Sequence, residues 1–368
     1  MGTIKQNRAN NIVTGGKIDA TDGLNNNVPA TNIANASLTN VTAYPPSAGT
    51  SVSQLASDPP SPTEGQMWYN TTTNTLKQYA QGAGSWATGG ALNTPRQYSS
   101  GAGDSNSSAL AIGGNNGSAI ASVESYNGSA WTEVNDLNTA RDNNMAAGTQ
   151  TSAVAFAGKD VPDALVTLTE TWNGTSWTEV ADMNTAVRLS ADAGSDSTNA
   201  LCAGGITPAN TGKNEIWNGT SWSEEADLNT ARHQLGGNGT STSALAIGGN
   251  TPTRVAQAES WNGTSWTETT DMNNDRAPSP ASGADNTSIL AIGGGGPPTQ
   301  YANVEEWNGS AWTEVTDLNL ARVANSASGT GASSLTYGGI APSLSPPGRT
   351  GSTEEWTKGL SVQTITAS

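Results

Sequence analysis

An all-β fold, a closed ring of six four-stranded units, is the architecture this sequence predicts, and three observations predict it. A motif of aromatic, Asn, Gly, two variable residues and Trp occurs at Tyr126–Trp131, Trp172–Trp177, Trp217–Trp222, Trp261–Trp266 and Trp307–Trp312. Its second Trp returns at intervals of 46, 45, 44 and 46 residues, the period of a chain built from one repeated supersecondary unit. Glycine and proline, 43 and 17 of 368 residues, cut the chain into segments too short for regular helices.

Each repeat offers four short strands, a to d. Strand a is rich in Gly, Ala and Ser, as in Asn144–Gly148 and Leu235–Gly239, which suits strands crowded together where side-chain volume is limited. Strand b is an apolar run ending in glycine, such as Ala109–Gly114 or Ala244–Gly249, suited to burial on both faces. Strand c ends at the first aromatic and strand d begins at the second, with Asn-Gly between them as the hairpin signal. Because side chains alternate along a strand, both aromatics point to one face of the sheet and are predicted to pack on the neighbouring unit. That assigns Tyr126, Trp131, Trp172, Trp177, Trp217, Trp222, Trp261, Trp266, Trp307, Trp312, Trp356 and Trp86 to structural packing, in place of the scarce Leu and Phe.

Strands a to c occur six times, the last c strand ending at Trp356, yet no d strand follows it. A solitary d strand, Gly84–Thr88 with Trp86, lies 45 residues before Trp131, so the last unit is predicted to take its outer strand from the N-terminal side. The competing count is seven units, with Met67–Asn70, Leu76–Tyr79, Gly84–Thr88 and Ser361–Thr366 forming an irregular extra one. The predicted organisation is an extended arm over 1–58, a linker, hairpin and ring-closing strand over 59–90, and a propeller over 91–368. Residues 1–58, rich in Asn, Thr, Ala and Ser, carry too few large apolar groups to fold alone.

The Gly-Gly at the end of strand b, the aromatic on c and the Trp on d together resemble the kelch repeat over about residues 84–357, with Ala157-Gly158 departing from Gly-Gly. The likeness implies a six-bladed kelch-like β-propeller. The segment Pro59–Tyr79, containing Met67-Trp68-Tyr69-Asn70, resembles a part of bacteriophage fibre and appendage proteins, and residues 1–58 are similar to their attachment leaders. The resemblance implies a virion structural protein, a tail fibre or appendage, whose arm over 1–58 joins other virion proteins. Its propeller would serve host recognition by binding a surface receptor or carbohydrate; a fibre-borne copy implies a homotrimer. The alternatives are a head or tail decoration protein and a glycan-cleaving propeller enzyme.

Composition narrows the chemistry. A formal charge of -16 argues against nucleic acid, whose binding needs clustered Lys and Arg. The start has no apolar signal segment and no run is long enough to span a membrane, so membrane insertion is not expected; the expectation is synthesis in a host cytoplasm and display on the particle surface. One Cys, Cys202, and one His, His233, are too few for the copper site of a kelch-like oxidase or for a His/Cys metal cage. The Asp-box turns of sialidases are missing before the repeat glycines. No catalytic residue, cofactor or metal is therefore expected.

The repeated Asp136, Asp182, Asp227, Asp271 and Asp317 precede the arginines Arg141, Arg188, Arg232, Arg276 and Arg322, with Arg96 as the sixth arginine. Ion pairing of Asp with Arg is expected over cation binding. Recognition is expected in the b–c loops, which vary most between repeats, with Arg254, Tyr301 and Arg349 as candidate binding residues.

Overall fold

The structure, a computed structural model, describes residues 52–278, 280–296, 299–341 and 348–365. The chain divides into two compact units, Met1–Ala83 with Lys358–Ser368, and Gly84–Thr357. Among the described residues there are seven four-stranded sheets and no helix, a β-propeller-like architecture.

The smaller unit holds one sheet in the order Ser53–Leu55, Met67–Asn70, Thr75–Gln81 and Leu360–Thr364, the first pair parallel. Trp68 and Leu76 are buried in it. The Asp58 carboxylate accepts from the Trp68 indole and the Asn70 amide, both at 2.9 Å, and these bonds, Asn70's first, hold it below the ordinary carboxylate range. Three expected boundaries therefore change. The arm expected over 1–58 lies outside the described residues up to 51, but Ser53–Leu55 and Asp58 belong to this sheet. The segment 59–90 is divided between the units, and the tail of 91–368 leaves the second unit to pair Leu360–Thr364 with Thr75–Gln81. Three segments of the expected irregular extra blade thus do share a sheet, whereas Ser85–Gly89 does not join it.

Among the described residues the larger unit holds six four-stranded sheets and two two-stranded ones in loops. Sheet 1 comprises Ser100–Ser105, Ser108–Ile112, Val123–Tyr126 and Trp131–Val134; sheet 2, Met145–Gly148, Ala153–Phe156, Thr169–Trp172 and Trp177–Glu179. Sheet 3 comprises Ala191–Asp196, Asn199–Ala203, Asn214–Trp217 and Trp222–Glu225; sheet 4, Gly236–Thr240, Ser243–Ile247, Ala258–Trp261 and Trp266–Glu268. Sheet 5 comprises Ala281–Asp285, Ser288–Ile292, Val304–Trp307 and Trp312–Val315; sheet 6, Ser326–Gly329, Ser333–Tyr337, Thr353–Thr357 and, as its outer strand, Ser85–Gly89. All are antiparallel.

The two aromatics of each motif sit directly opposite one another, as at Trp172 and Trp177 or Trp86 and Trp356, with ring centroids 4.9–5.7 Å apart. The second ring also meets the preceding sheet, Trp222 on Phe156 at 4.9 Å and Trp131 on Tyr337 at 4.8 Å. A buried indole N–H needs an acceptor, and the first Trp finds it in the turn between strands a and b of its own sheet: Trp172 in Gln150 O, Trp217 in Ser197 O and Trp261 in Ser241 O, each at 3.0 Å. Cys202 lies in the cluster between sheets 2 and 3, and burial pushes its thiol far up.

The expected Asp–Arg pairs do not form; the five Asp residues are exposed on the surface. The arginines instead enter the interior and pair with a glutamate two residues before the first aromatic of strand c. Arg96 meets Glu124 at 2.5 Å, Arg141 meets Glu170 at 2.8 Å, Arg232 meets Glu259 at 3.0 Å and Arg322 meets Glu354 at 2.6 Å, with Arg276 on Glu305 alike. The second carboxylate oxygen accepts the backbone and side-chain N–H of the Asn that follows the repeat Leu or Met: Asn138 on Glu170 at 2.8 and 2.7 Å, Asn319 on Glu354 at 2.7 and 2.9 Å. Arg141 Nη1 also donates to Leu168 O at 2.7 Å, and Arg322 Nη1 to Ser352 O at 2.8 Å. Each clamp fastens the segment leading into a sheet to that sheet's third strand.

Sheet 3 departs. Four residues after Met183 stands Val187, buried, and Arg188 lies one place beyond the clamp position, so this one arginine of the six is out of register. Asn184 still donates to Glu215 Oε2 at 2.8 and 3.1 Å, but Oε1 is buried without a partner. A third bond confirms the register: the second glycine after strand b donates to the carbonyl at the clamp position of the next sheet. Gly114 bonds Arg141 O, Gly158 bonds Val187 O, Gly205 bonds Arg232 O, Gly249 bonds Arg276 O, Gly294 bonds Arg322 O and Gly339 bonds Arg96 O, at 2.7–3.1 Å.

Removing one partner of a buried pair strands the other charge. Arg141→Met is expected to lower unfolding free energy by about 3–5 kcal/mol, and adding Glu170→Gln to recover most of the loss. Val187→Arg, which offers Glu215 its missing partner, is expected to raise the urea midpoint. A midpoint unchanged by Arg141→Met would show that the clamp holds nothing.

Candidate functional site

The lead-in segments converge where the first strands begin. Five of the six pass through a left-handed residue, Tyr98 (φ 52), Asn143 (φ 51), Leu189 (φ 59), Gln234 (φ 56) and Ala324 (φ 56), the lead-in of sheet 5 having Pro278 there instead. Neighbours are joined there: Tyr98 N donates to Ala324 O at 3.0 Å, Asn143 N to Tyr98 O at 2.9 Å and Gln234 N to Leu189 O at 2.8 Å. The residue before each left-handed one, directly after the clamp position, is Gln97, Asp142, Arg188, His233 or Val323. These bridge to the b–c loops at Asn115, Lys159, Ile206, Asn250 and Ile340. Four consecutive sheets thus present Gln, Asp, Arg and His at one equivalent rim position.

Electrostatics tie this arc together. Asp142 accepts from Asn115 Nδ2 at 2.7 Å and Asn143 Nδ2 at 2.5 Å, and Lys159 Nζ stands 3.9 Å away while also contacting Asp163. Lys159 draws Asp163 below the ordinary carboxylate range. Burial, then Asp142, push the Tyr98 phenol up, against the pull of Arg188 and Lys159. Burial and the Arg188 charge press the His233 imidazole below its ordinary value, leaving it neutral at pH 7. Gln97 Oε1 and His233 Nδ1 are buried without partners among the described residues.

The predicted b–c loop residues are placed unevenly. Arg349 Nη2 reaches Asn115 Oδ1 at 2.9 Å and so joins the chain that ends on Asp142. Arg254 bridges to Asn250, the partner of His233, and its Nε lies 3.8 Å from Asp275. Tyr301 is half-buried, its backbone N–H on Gly294 O at 2.9 Å, with no contact to the other two. Parts of the two loops carrying Tyr301 and Arg349, residues 297–298 and 342–347, lie outside the described residues. Gln97 and Asp142 are not among the residues singled out from sequence, Arg188 is expected there in an Asp pair and His233 is weighed only as a metal ligand, so these four are not brought together there. Their signal was available: directly after the repeated Asn-to-Arg stretch the segments stop repeating, and the first residue to vary runs from Gln to Asp to Arg to His.

Between the first strands lie two cavities, about 120 Å³ at the rim end and 160 Å³ at the other. Pockets that enclose drug-sized ligands span roughly 300–1,000 Å³, so neither can engulf a saccharide. Asp192 lines both, at a position that is Gly101, Ala146, Gly237, Ala281 or Ala327 in the other sheets. Its Oδ2 accepts only a long bond, 3.4 Å, from Ala146 N, and burial pushes the carboxyl up to about 7. The repeat aromatics are all buried and offer no stacking platform. Among the described residues no three His, Cys, Asp or Glu side chains gather as a metal site.

No protein-family model matches the chain, and no curated protein matches it. Solved structures do: one described as "Structure of YjhT" aligns with a TM-score of 0.58 at 13% identity, covering 74% of this chain and 99% of that one. At that identity the likeness is one of fold.

Asp192 also sets a pH dependence. Its folded pKa stands above the unfolded value near 3.8, so its contribution is fully present below about pH 4 and is lost as pH rises through about 7. Asp192→Asn is expected to abolish this loss, making the variant the more stable protein at pH 8 by on the order of a few kcal/mol. Melting curves of both proteins between pH 4 and 8 check it; parallel curves would refute it.

Proposed function

We propose that the chain is a bacteriophage virion appendage of the tail-fibre kind, and that its Gly84–Thr357 unit is a six-bladed kelch-like β-propeller binding a host-surface glycan with its b–c loop face. The ring reading is supported by the glycine bonds between successive sheets, the last of which, Gly339 to Arg96, links sheet 6 to sheet 1. Ser85–Gly89 would close that ring as the outer strand of sheet 6, giving the last blade its missing edge. The Gly-Gly and Trp signature supports the kelch type. Virion attachment rests on the resemblance of residues 1–58 and Pro59–Tyr79 to fibre and appendage proteins, which carries with it display on the particle and trimeric assembly.

One observation carries the binding reading: repeated interior positions are nearly invariant, whereas Gln97, Asp142, Arg188 and His233 vary at equivalent rim positions beside the variable loops. Duplication copies what folding needs, and a rim that departs from the copy is free to carry recognition. The cavities being small, a glycan would lie across the rim.

The full-length protein is expected to bind a subset of bacterial surface polysaccharides on an array, with Gln97→Ala/Arg349→Ala weakening binding at least about tenfold. Thr149→Ala/Thr240→Ala, at the far cavity, is expected to leave binding intact. Binding to no polysaccharide by a correctly melting protein would sink the glycan reading, and antibody-gold absent from intact particles would sink the virion one.

A further inference from the structure

Arg188 is anomalous. The protein has 31 acidic residues against 15 basic ones, so an accessible guanidinium has carboxylates to choose from. Among the described arginines, five are in buried clamps, Arg254 lies near Asp275 and Arg349 bonds Asn115. Arg188 alone makes no side-chain hydrogen bond or ion pair, because Val187 occupies the place from which it would reach Glu215. It is half-buried at the rim, and its charge is felt by Tyr98, Asp163 and His233, which come from three other sheets.

Resting on the glycan-binding reading, we propose that Arg188, flanked by Tyr98 and His233, is the anchor for a single oxyanion, the carboxylate of a uronate or a phosphate, on an otherwise neutral saccharide. A planar guanidinium fork matches the two oxygens of either group, and a side chain already half-buried loses little freedom on binding. Among the described residues the buried His233 Nδ1 has no hydrogen-bond partner, and the Tyr98 phenol, pushed up by burial, stays protonated and able to donate to the anion. The acidic surroundings, Asp142 and Asp163 among them, and the net charge of -16 oppose a polyanion, whose many charges would be repelled together. A lone oxyanion pays that repulsion once.

His233 is the only histidine in the sequence, so its imidazole Cε1–H resonance in proton NMR needs no assignment. The full-length protein titrated with glucuronate, inorganic phosphate and glucose is expected to show a saturable shift with at least one of the first two. The bound anion is also expected to raise the His233 titration by about one unit, as a negative charge nearby favours imidazolium. A response to glucuronate alone assigns a uronate, and one to phosphate alone a phosphate group. Arg188→Gln should lose the response while keeping the melting curve, and Arg188→Lys should keep it at reduced affinity. No shift with either anion, or an equal shift with glucose, overturns the proposal. If the array shows polysaccharide binding that Arg188→Gln leaves unchanged, the anchor falls and the glycan reading stands; if the array is empty while His233 responds, the reverse holds.

Discussion

A buried carboxylate that must be satisfied organises the larger unit. Each third strand carries a glutamate whose desolvation would cost several kcal/mol unless its oxygens were occupied. The Asn and Arg of the lead-in, three residues apart, supply those partners in five of the six sheets and in doing so fix where the chain enters them. From that anchor follow the left-handed turn two residues later, the line of the first strand and the carbonyl that receives the previous sheet's glycine. Hydrophobic burial fills the spaces between sheets, but Ala, Trp and Val could fill them in several registers. The clamp selects one.

Sheet 3 shows how much of this depends on the arginine. With Val187 in its place, the Asn bonds, the left-handed Leu189 and the Gly158 bond to the Val187 carbonyl all persist. One clamp can be lost because neighbouring sheets impose the same geometry from either side. The loss leaves a Glu215 oxygen orphaned inside and, half-buried one place on, an Arg188 with no side-chain partner among the described residues.

The repeat period, the Asn-Gly turns and the paired rings were legible because each has a local cause: turn chemistry, side-chain alternation and a fixed repeat. The Glu–Arg pairing had the same cause and was missed. A residue two before a buried aromatic shares its face, so Glu124, Glu170, Glu215, Glu259, Glu305 and Glu354 had to be buried by the parity that buried the rings. Acidic character suggested solvent, and the exposed Asp residues then looked like the natural partners for Arg. Counting four from the repeat Leu or Met would also have shown Arg188 out of place. The pairing of Leu360–Thr364 with Thr75–Gln81 joins segments nearly the whole chain apart, and no local pattern announces it.

Folding and the proposed recognition draw on different positions of the same lead-in segment. Losing the charge at the clamp position strands a buried carboxylate, as at Glu215; the position after it bridges through its backbone to a b–c loop, Asp142 adding a side-chain bond to Asn115. Substitution there alters charge and hydrogen bonding at the face without disturbing the sheet beneath. Were that face to bind as proposed, a change of target would need no change of fold, whereas a change at the clamp alters stability first. This separation is why the arc Gln97, Asp142, Arg188 and His233 can differ in every member while the five intact clamps around it remain the same.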